Sequence, residues 1–467
     1  MSFVFYDTET TGINTSFDQV LQFAAIRTDA ELNELDRFEI RCRILPHVVP
    51  GPQAMRVTRV SSSQLIDPSL PSHYEMVRTI RAKLLSWSPA TIIGYNSLRF
   101  DENLLRQAFY QTLHPPYVTN TNGNARSDAL KIVQATSLFS PESLTFPVGD
   151  KGPISFKLDR LAPANGFNHE AAHDALADVE ATIFICRLIA ERAPELWSSF
   201  MRFSQKAAVE DYISSESIFC LSEFYANRPF SWLVTSLGVN SKNRSEHYVY
   251  DLSVDPADLA ALSDIKLVGR LSKSPKVMRT IKSNGAPILM ASDDAPMNVT
   301  AKDIAPDELE RRVQYLQDVG IRQRFVAAYE TTKEEYTPSP YVEQQIYDGF
   351  FSNSDAQLME QFHNAPWPDR VEIIEQFSDR RLTYLGRQLL YFERPDLLTN
   401  KQRHEHSKLV AARLTEADIE VPWLTLPNAI KEMDELLLSS EGDDVAFLGD
   451  HRRYLIEQLE MASSCLL

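Results

Sequence analysis

The sequence predicts three parts in series: an α/β sheet domain over residues 1–195, a small β-barrel or sandwich over 196–345, and an all-α region over 346–467. The first part follows from apolar, β-prone runs at 3–6 (FVFY), 20–28 and 91–95, interleaved with segments of helical periodicity. Short β-prone runs at 231–239, 247–252, 266–271 and 287–291, parted by turn-rich pieces, predict the second. From Gln344 onward nearly every segment has helical spacing, punctuated by Pro366, Pro368, Pro395, Pro422 and Pro427. A chain of 467 residues is too long for one hydrophobic core.

Composition narrows the classes. Hydrophobic content of 43% and charged content of 24% are those of a soluble globular protein, and no apolar run approaches the ~18 residues that a membrane span needs. The N-terminus carries Asp7 and no basic segment, which excludes a signal peptide. Cys42, Cys186, Cys220 and Cys465 are far apart with no CxxC pair, which argues against zinc and a disulfide framework and for a reducing, cytoplasmic compartment. A net charge of -17 discourages a polyanionic partner. Residues 265–292, however, contain no acid while holding Lys266, Arg270, Lys273, Lys276, Arg279 and Lys282, so a polyanion would be held locally. The alternative is a solvated basic face.

In chain order, the apolar run 3–6 stops at Asp7-Thr-Glu9 and a Thr-Thr-Gly turn, as a buried central strand ending in carboxylates would. Side chains two apart on a strand share a side, so Asp7 and Glu9 crowd each other. Both stay ionised only if cations lie between them, and such hard oxygen donors suit Mg²⁺ or Mn²⁺. Otherwise Asp7 caps the turn and Glu9 is solvated. Residues 20–28 and 37–45 complete an antiparallel meander, the latter alternating Phe38, Ile40, Cys42 and Ile44 with Glu39, Arg41 and Arg43.

Helical spacing over 72–85 makes a crossover, so strand 91–95 runs parallel to the first. Asp101 then stands where that strand gives way to a helix over 102–113, at the sheet edge where open α/β sheets bind ligands; a plain helix cap is the alternative. The polar loop 115–126 could cover a substrate, and 128–138 is a short helix. Residues 154–161 (ISFKLDRL) lead to His173-Asp-Ala-Leu-Ala-Asp178, with His173 just before a helix and Asp178 one turn inside it. Taken alone, His173 could be a satisfied structural histidine. Residues 307–329 read as one helix. The C-terminal helices fall at 356–364, 370–377, 381–392, 401–414, 423–438 and 445–461.

Four carboxylates and a histidine thus occur in the order Asp7-x-Glu9, Asp101, His173-x4-Asp178. This set resembles the histidine-bearing branch of the DEDD superfamily of 3′-to-5′ exonucleases. The segments YDTETTG, QFAAIRTD, GYNSLRFDE, ANG and AHDALADVEATI are similar to those of the bacterial exonuclease I family. The resemblance implies a ribonuclease-H-like nuclease domain, an SH3-like barrel and a helical C-terminal domain. It also implies a monomer that degrades single-stranded DNA to 5′-mononucleotides in DNA repair and recombination.

By motif position, Asp7, Glu9, Asp101 and Asp178 would hold two Mg²⁺ ions, replaceable by Mn²⁺, and His173 would be the general base. Asp7 would bridge the metals, Glu9 and Asp178 would serve the one carrying the attacking water, and Asp101 the one near the leaving oxygen. Glu9, Lys157, Arg106 and Tyr117 would contact the substrate. Lys157 stands where the family usually has arginine; lysine keeps the charge and loses the bidentate fork. Arg106 and Tyr117 can equally be a surface arginine and a packing tyrosine. The resemblance further implies docking of the acidic, hydrophobic C-terminal tail of single-stranded DNA-binding protein, for which Arg322 and Arg324 are candidates by charge. The competing readings are an exoribonuclease or proofreading subunit, and a non-catalytic nucleic-acid-binding scaffold.

Overall fold

The computed structural model describes residues 2–149, 152–168, 174–334, 336–417 and 419–466. Strands β1 (Phe3–Thr10), β2 (Val20–Thr28) and β3 (Glu34–Arg41) form the antiparallel meander. β4 (Thr91–Gly94) runs parallel to β1, and β5 (Ala125–Asp128) parallel to β4, which gives the order β3-β2-β1-β4-β5 with β1 central.

Alternation along β1 sorts its residues between two cores. Phe3 and Phe5 join the cluster built with Val179, Ile183 and Cys186 of helix Ala175–Arg192. Val4 and Tyr6 join the opposite cluster, with Met76 and Ile80 of helix His73–Trp87 and Leu104 and Leu105 of helix Asp101–Gln111. Ser72 and Glu75 close a capping box at the start of His73–Trp87, which fixes where that crossover begins.

β5 falls at the end of the stretch expected to be a covering loop. Its sequence, ARSD, carries no β signal, yet all four residues are buried. Arg126 is tolerated there because its guanidinium donates to the buried Glu102 at 2.8 Å.

The middle part is a five-stranded antiparallel sheet of β6 (Phe219–Tyr225), β7 (Arg228–Val239), β8 (Glu246–Asp251), β9 (Met278–Lys282) and β10 (Ile288–Ala291), in the order β10-β6-β7-β8-β9. The expected strand at 266–271 is instead part of helix Asp264–Ser272. Leu267 and Leu271, four apart, are both fully buried in one core, a helical spacing that outweighs the local β-prone run. β6 and β9 were not anticipated. The expected single helix over 307–329 is two, Pro306–Gln317 and Val319–Glu330. Asp318 interrupts them and caps the second by accepting from the Ile321 amide at 3.0 Å.

The C-terminal part is helical throughout its regular structure. Helices Asn353–Asn364 and Arg380–Glu393 share a core with Tyr74, Tyr110 and Leu113, while Leu426–Leu438 and Asp443–Leu466 share one with Leu21, Val49 and Met55. The helical region is therefore packed onto the first sheet's domain. No helix among the described residues is long and apolar enough to cross a membrane.

Candidate active site

Asp7 and Glu9 continue, toward the end of β1, the same side that carries Phe3 and Phe5. That side faces helix Ala175–Arg192, whose first turn holds Asp178. One carboxylate oxygen from each of Asp7, Glu9 and Asp178 lies within 4.8 Å of the others, a group able to hold a metal ion. Asp101 opens helix Asp101–Gln111 from the opposite side of the sheet. It is buried, and its Oδ1 accepts from Thr8 Oγ1 at 2.5 Å.

The electrostatics follow from bringing these acids together away from water. Burial, and then the charges of Asp101, Asp178 and Glu9, hold the Asp7 carboxyl well above the usual carboxylate range. Glu9 is pushed up to about 8 by burial and by Asp178 and Asp101, with Arg41 opposing. Asp101 is pushed up to about 7, mainly by burial, against the hydrogen bond from Thr8.

Three supporting residues escaped the sequence reading. Thr8 lies between the two acids that drew attention. Asp174 caps helix Ala175–Arg192 through the Leu176 amide at 3.2 Å and pairs with Arg41 at 2.7 Å, so it steadies the turn that carries Asp178. Asp128 accepts from the Asn96 and Leu98 amides at 2.9 and 3.3 Å, which fixes the loop leading into Asp101. For both aspartates the available signal was an acid at a helix start.

His173 lies outside the described residues. Lys157 is exposed at the N-cap of helix Leu158–Ala164. Arg106 and Tyr117 meet each other: the guanidinium stands 5.3 Å from the ring centroid and is ion-paired with Glu102 at 2.8 Å. In the basic segment Lys266, Lys273, Lys276 and Lys282 are exposed, whereas Arg279 lies 3.3 Å from the Trp232 ring centroid with a largely buried side chain. Arg324 donates to Asp264 and to the Ala260 and Leu262 carbonyls at 2.8, 2.7 and 2.5 Å, a clamp within its own part of the fold.

A family model described as "Exonuclease" matches residues 4–186, and one for the exonuclease I C-terminal domain matches residues 340–458. Exodeoxyribonuclease I of Escherichia coli K12 is 30% identical over 380 residues, covering 77% of this chain and 78% of its own. That of Haemophilus influenzae is 29% identical over 405 residues, covering 82% and 84%. Among solved structures, the moderately thermophilic exonuclease I of Methylocaldum szegediense superposes with a TM-score of 0.84 at 27% identity, covering 98% of this chain and 99% of that one. E. coli exonuclease I in complex with a dA16 oligonucleotide superposes equally well, at 0.84 and 25% identity with the same coverage.

Proposed function

The chain belongs to the exonuclease I family, and on that footing we propose that it digests single-stranded DNA from the 3′ end to 5′-mononucleotides, in DNA repair and recombination. It is an exonuclease, a hydrolase. The observation that carries the proposal is the convergence of Asp7, Glu9 and Asp178 within 4.8 Å. In the folded protein these acids stand close together and partly desolvated, which is unfavourable unless protons or cations compensate them. Their hard oxygens fit Mg²⁺, with Mn²⁺ as a substitute.

Two such ions, when bound, supply a water acidic enough to attack at neutral pH and absorb charge on the phosphoryl oxygens. The chain's own residues do the rest. Asp7, Glu9 and Asp178, with Asp101 anchored by Thr8, would hold the metals. In this reading an uncharged His173 imidazole takes the proton of the attacking water, a contribution of about 10²- to 10⁴-fold. The exposed Lys157 steadies the scissile phosphate. Arg106, paired with Glu102, and Tyr117, which lies under its guanidinium, form a wall beside the strand. The second sheet is taken as the family's SH3-like barrel, with domain limits near residues 195 and 345, and its exposed lysines follow the strand's phosphates. Of the two arginines suggested for the tail of single-stranded DNA-binding protein, Arg324 is engaged with Asp264, whereas Arg322 has no ion-pair partner among the described residues and is the candidate kept for that role.

Digestion of 3′- and 5′-end-labelled single strands, with and without Mg²⁺, tests the reading. The 3′ label should leave at once as a mononucleotide, only with metal, while the 5′ label persists in shortening strands. Early release of the 5′ label would overturn it, and equal digestion of RNA would favour an exoribonuclease.

A further inference from the structure

A groove of about 490 Å³ lies between helices Arg380–Glu393 and Asn400–Thr415. This is the size of sites that enclose one small organic ligand, roughly 300–1,000 Å³. In a chain of net charge -17, its lining among the described residues includes Arg380, Arg387 and Arg413 and no carboxylate.

The three cations are not equivalent. Arg413 pairs with Glu343 at 2.5 Å and lies over the Trp423 ring, so its charge is spent inside the fold. Arg387 makes a two-point pair with Glu375 at 2.9 and 2.6 Å, but both side chains are about half exposed, and such rim pairs are worth little. Arg380 is exposed and, among the described residues, has no carboxylate partner. The apolar wall offers Tyr384, 47% exposed, and Phe392, which is held flat by stacking on His47 at 4.9 Å between ring centroids. Open ring faces suit a nucleobase, and guanidinium forks suit a phosphate dianion.

We propose that this groove binds one nucleoside 5′-monophosphate, with its base on Tyr384 and its phosphate at Arg380 and Arg387. The identity of the ligand rests on the proposed reaction, whose product it is. Position supports the choice. His47 and Arg413 also line the cavity of about 510 Å³ that contains Glu9, so the groove lies across a single wall from the candidate active site.

Calorimetric titration of the full chain with dAMP in the presence of a chelator tests this, with deoxyadenosine, inorganic phosphate and a dT oligonucleotide as separate arms. One dAMP should bind per chain, with either fragment at least tenfold weaker. R380E and Y384A should each weaken dAMP at least tenfold, while leaving the melting temperature and the initial rate of strand digestion unchanged. No dAMP binding, binding unchanged in both variants, or R380E weakening the oligonucleotide and not dAMP would each overturn the proposal. Were the wild-type chain to bind dAMP as expected and yet fail to digest DNA, the groove would stand and the proposed function would fall.

Discussion

Thr8 Oγ1 lies 2.5 Å from Asp101 Oδ1, a buried hydrogen bond that ties the central strand to the first turn of the helix on its far side. It joins the two halves of the acidic cluster, and it stabilises the ionised form of Asp101 against the burial that opposes it. Thr8→Val should therefore raise the Asp101 pKa further in the metal-free chain and weaken Mn²⁺ binding at neutral pH, which calorimetry measures. It should also cost about 1–3 kcal/mol in a denaturant titration.

The raised Glu9 pKa sets a pH window. Because the folded chain keeps a proton on Glu9 up to about 8 while the unfolded chain releases it near 4.5, metal-free stability falls as pH rises through that interval. Metal ligation needs the ionised form, so Mn²⁺ should bind more tightly as pH rises toward 8 and should release protons below it. Calorimetry in two buffers of different ionisation heat measures that release, and Glu9→Gln should diminish it together with the affinity.

Glu102 is the second partner-rich acid, buried between Arg106 and Arg126 at 2.8 Å each and accepting from Thr119 at 2.6 Å. Glu102→Ala strands two guanidinium groups in the interior and should cost about 3–5 kcal/mol. Thermal or denaturant unfolding measures it. A loss this large identifies Arg106 as part of the packing between helix Asp101–Gln111 and β5.

His363 closes the contact between the helical region and the first domain. Arg370 donates to the Tyr74 hydroxyl at 2.8 Å, that hydroxyl lies 3.0 Å from His363 Nδ1, and His363 Nε2 meets the Leu113 carbonyl at 2.9 Å. This pattern suits a neutral imidazole. Burial, with the charges of Arg370, Arg81 and Arg78, lowers its pKa from 6.5 to about 4, so stability is full above pH 6.5 and is lost as pH falls toward 4. The window is worth about 3 kcal/mol. Unfolding midpoints at pH 7 and 4.5 should differ less in His363→Gln than in the wild type.

Where one local pattern decided the structure, the sequence was legible. The meander, β4 and the C-terminal helices follow from periodicity and proline punctuation, and Asp7 and Glu9 follow from strand alternation. What stayed hidden depends on neighbours. The ARSD strand is intelligible only once β4 lies beside it and Glu102 meets Arg126. The helix at Asp264–Ser272 is decided by burying Leu267 and Leu271 together. Thr8 and Asp128 act through partners distant in sequence, and Asp174 reaches Arg41 as well as its local cap at Leu176, so their roles at the site could not be read from spacing.

The proposed chemistry depends on Asp7, one of two acids of the three-carboxylate group that lie on the central strand. Its most direct test is the rate of Mg²⁺-dependent single-strand digestion by Asp7→Asn, measured beside its melting temperature without metal. Digestion should fall to background while the metal-free melting temperature holds or rises, because the substitution removes an acid whose ionised form burial and the neighbouring carboxylates disfavour. Digestion near the wild-type rate by a folded Asp7→Asn would contradict the account.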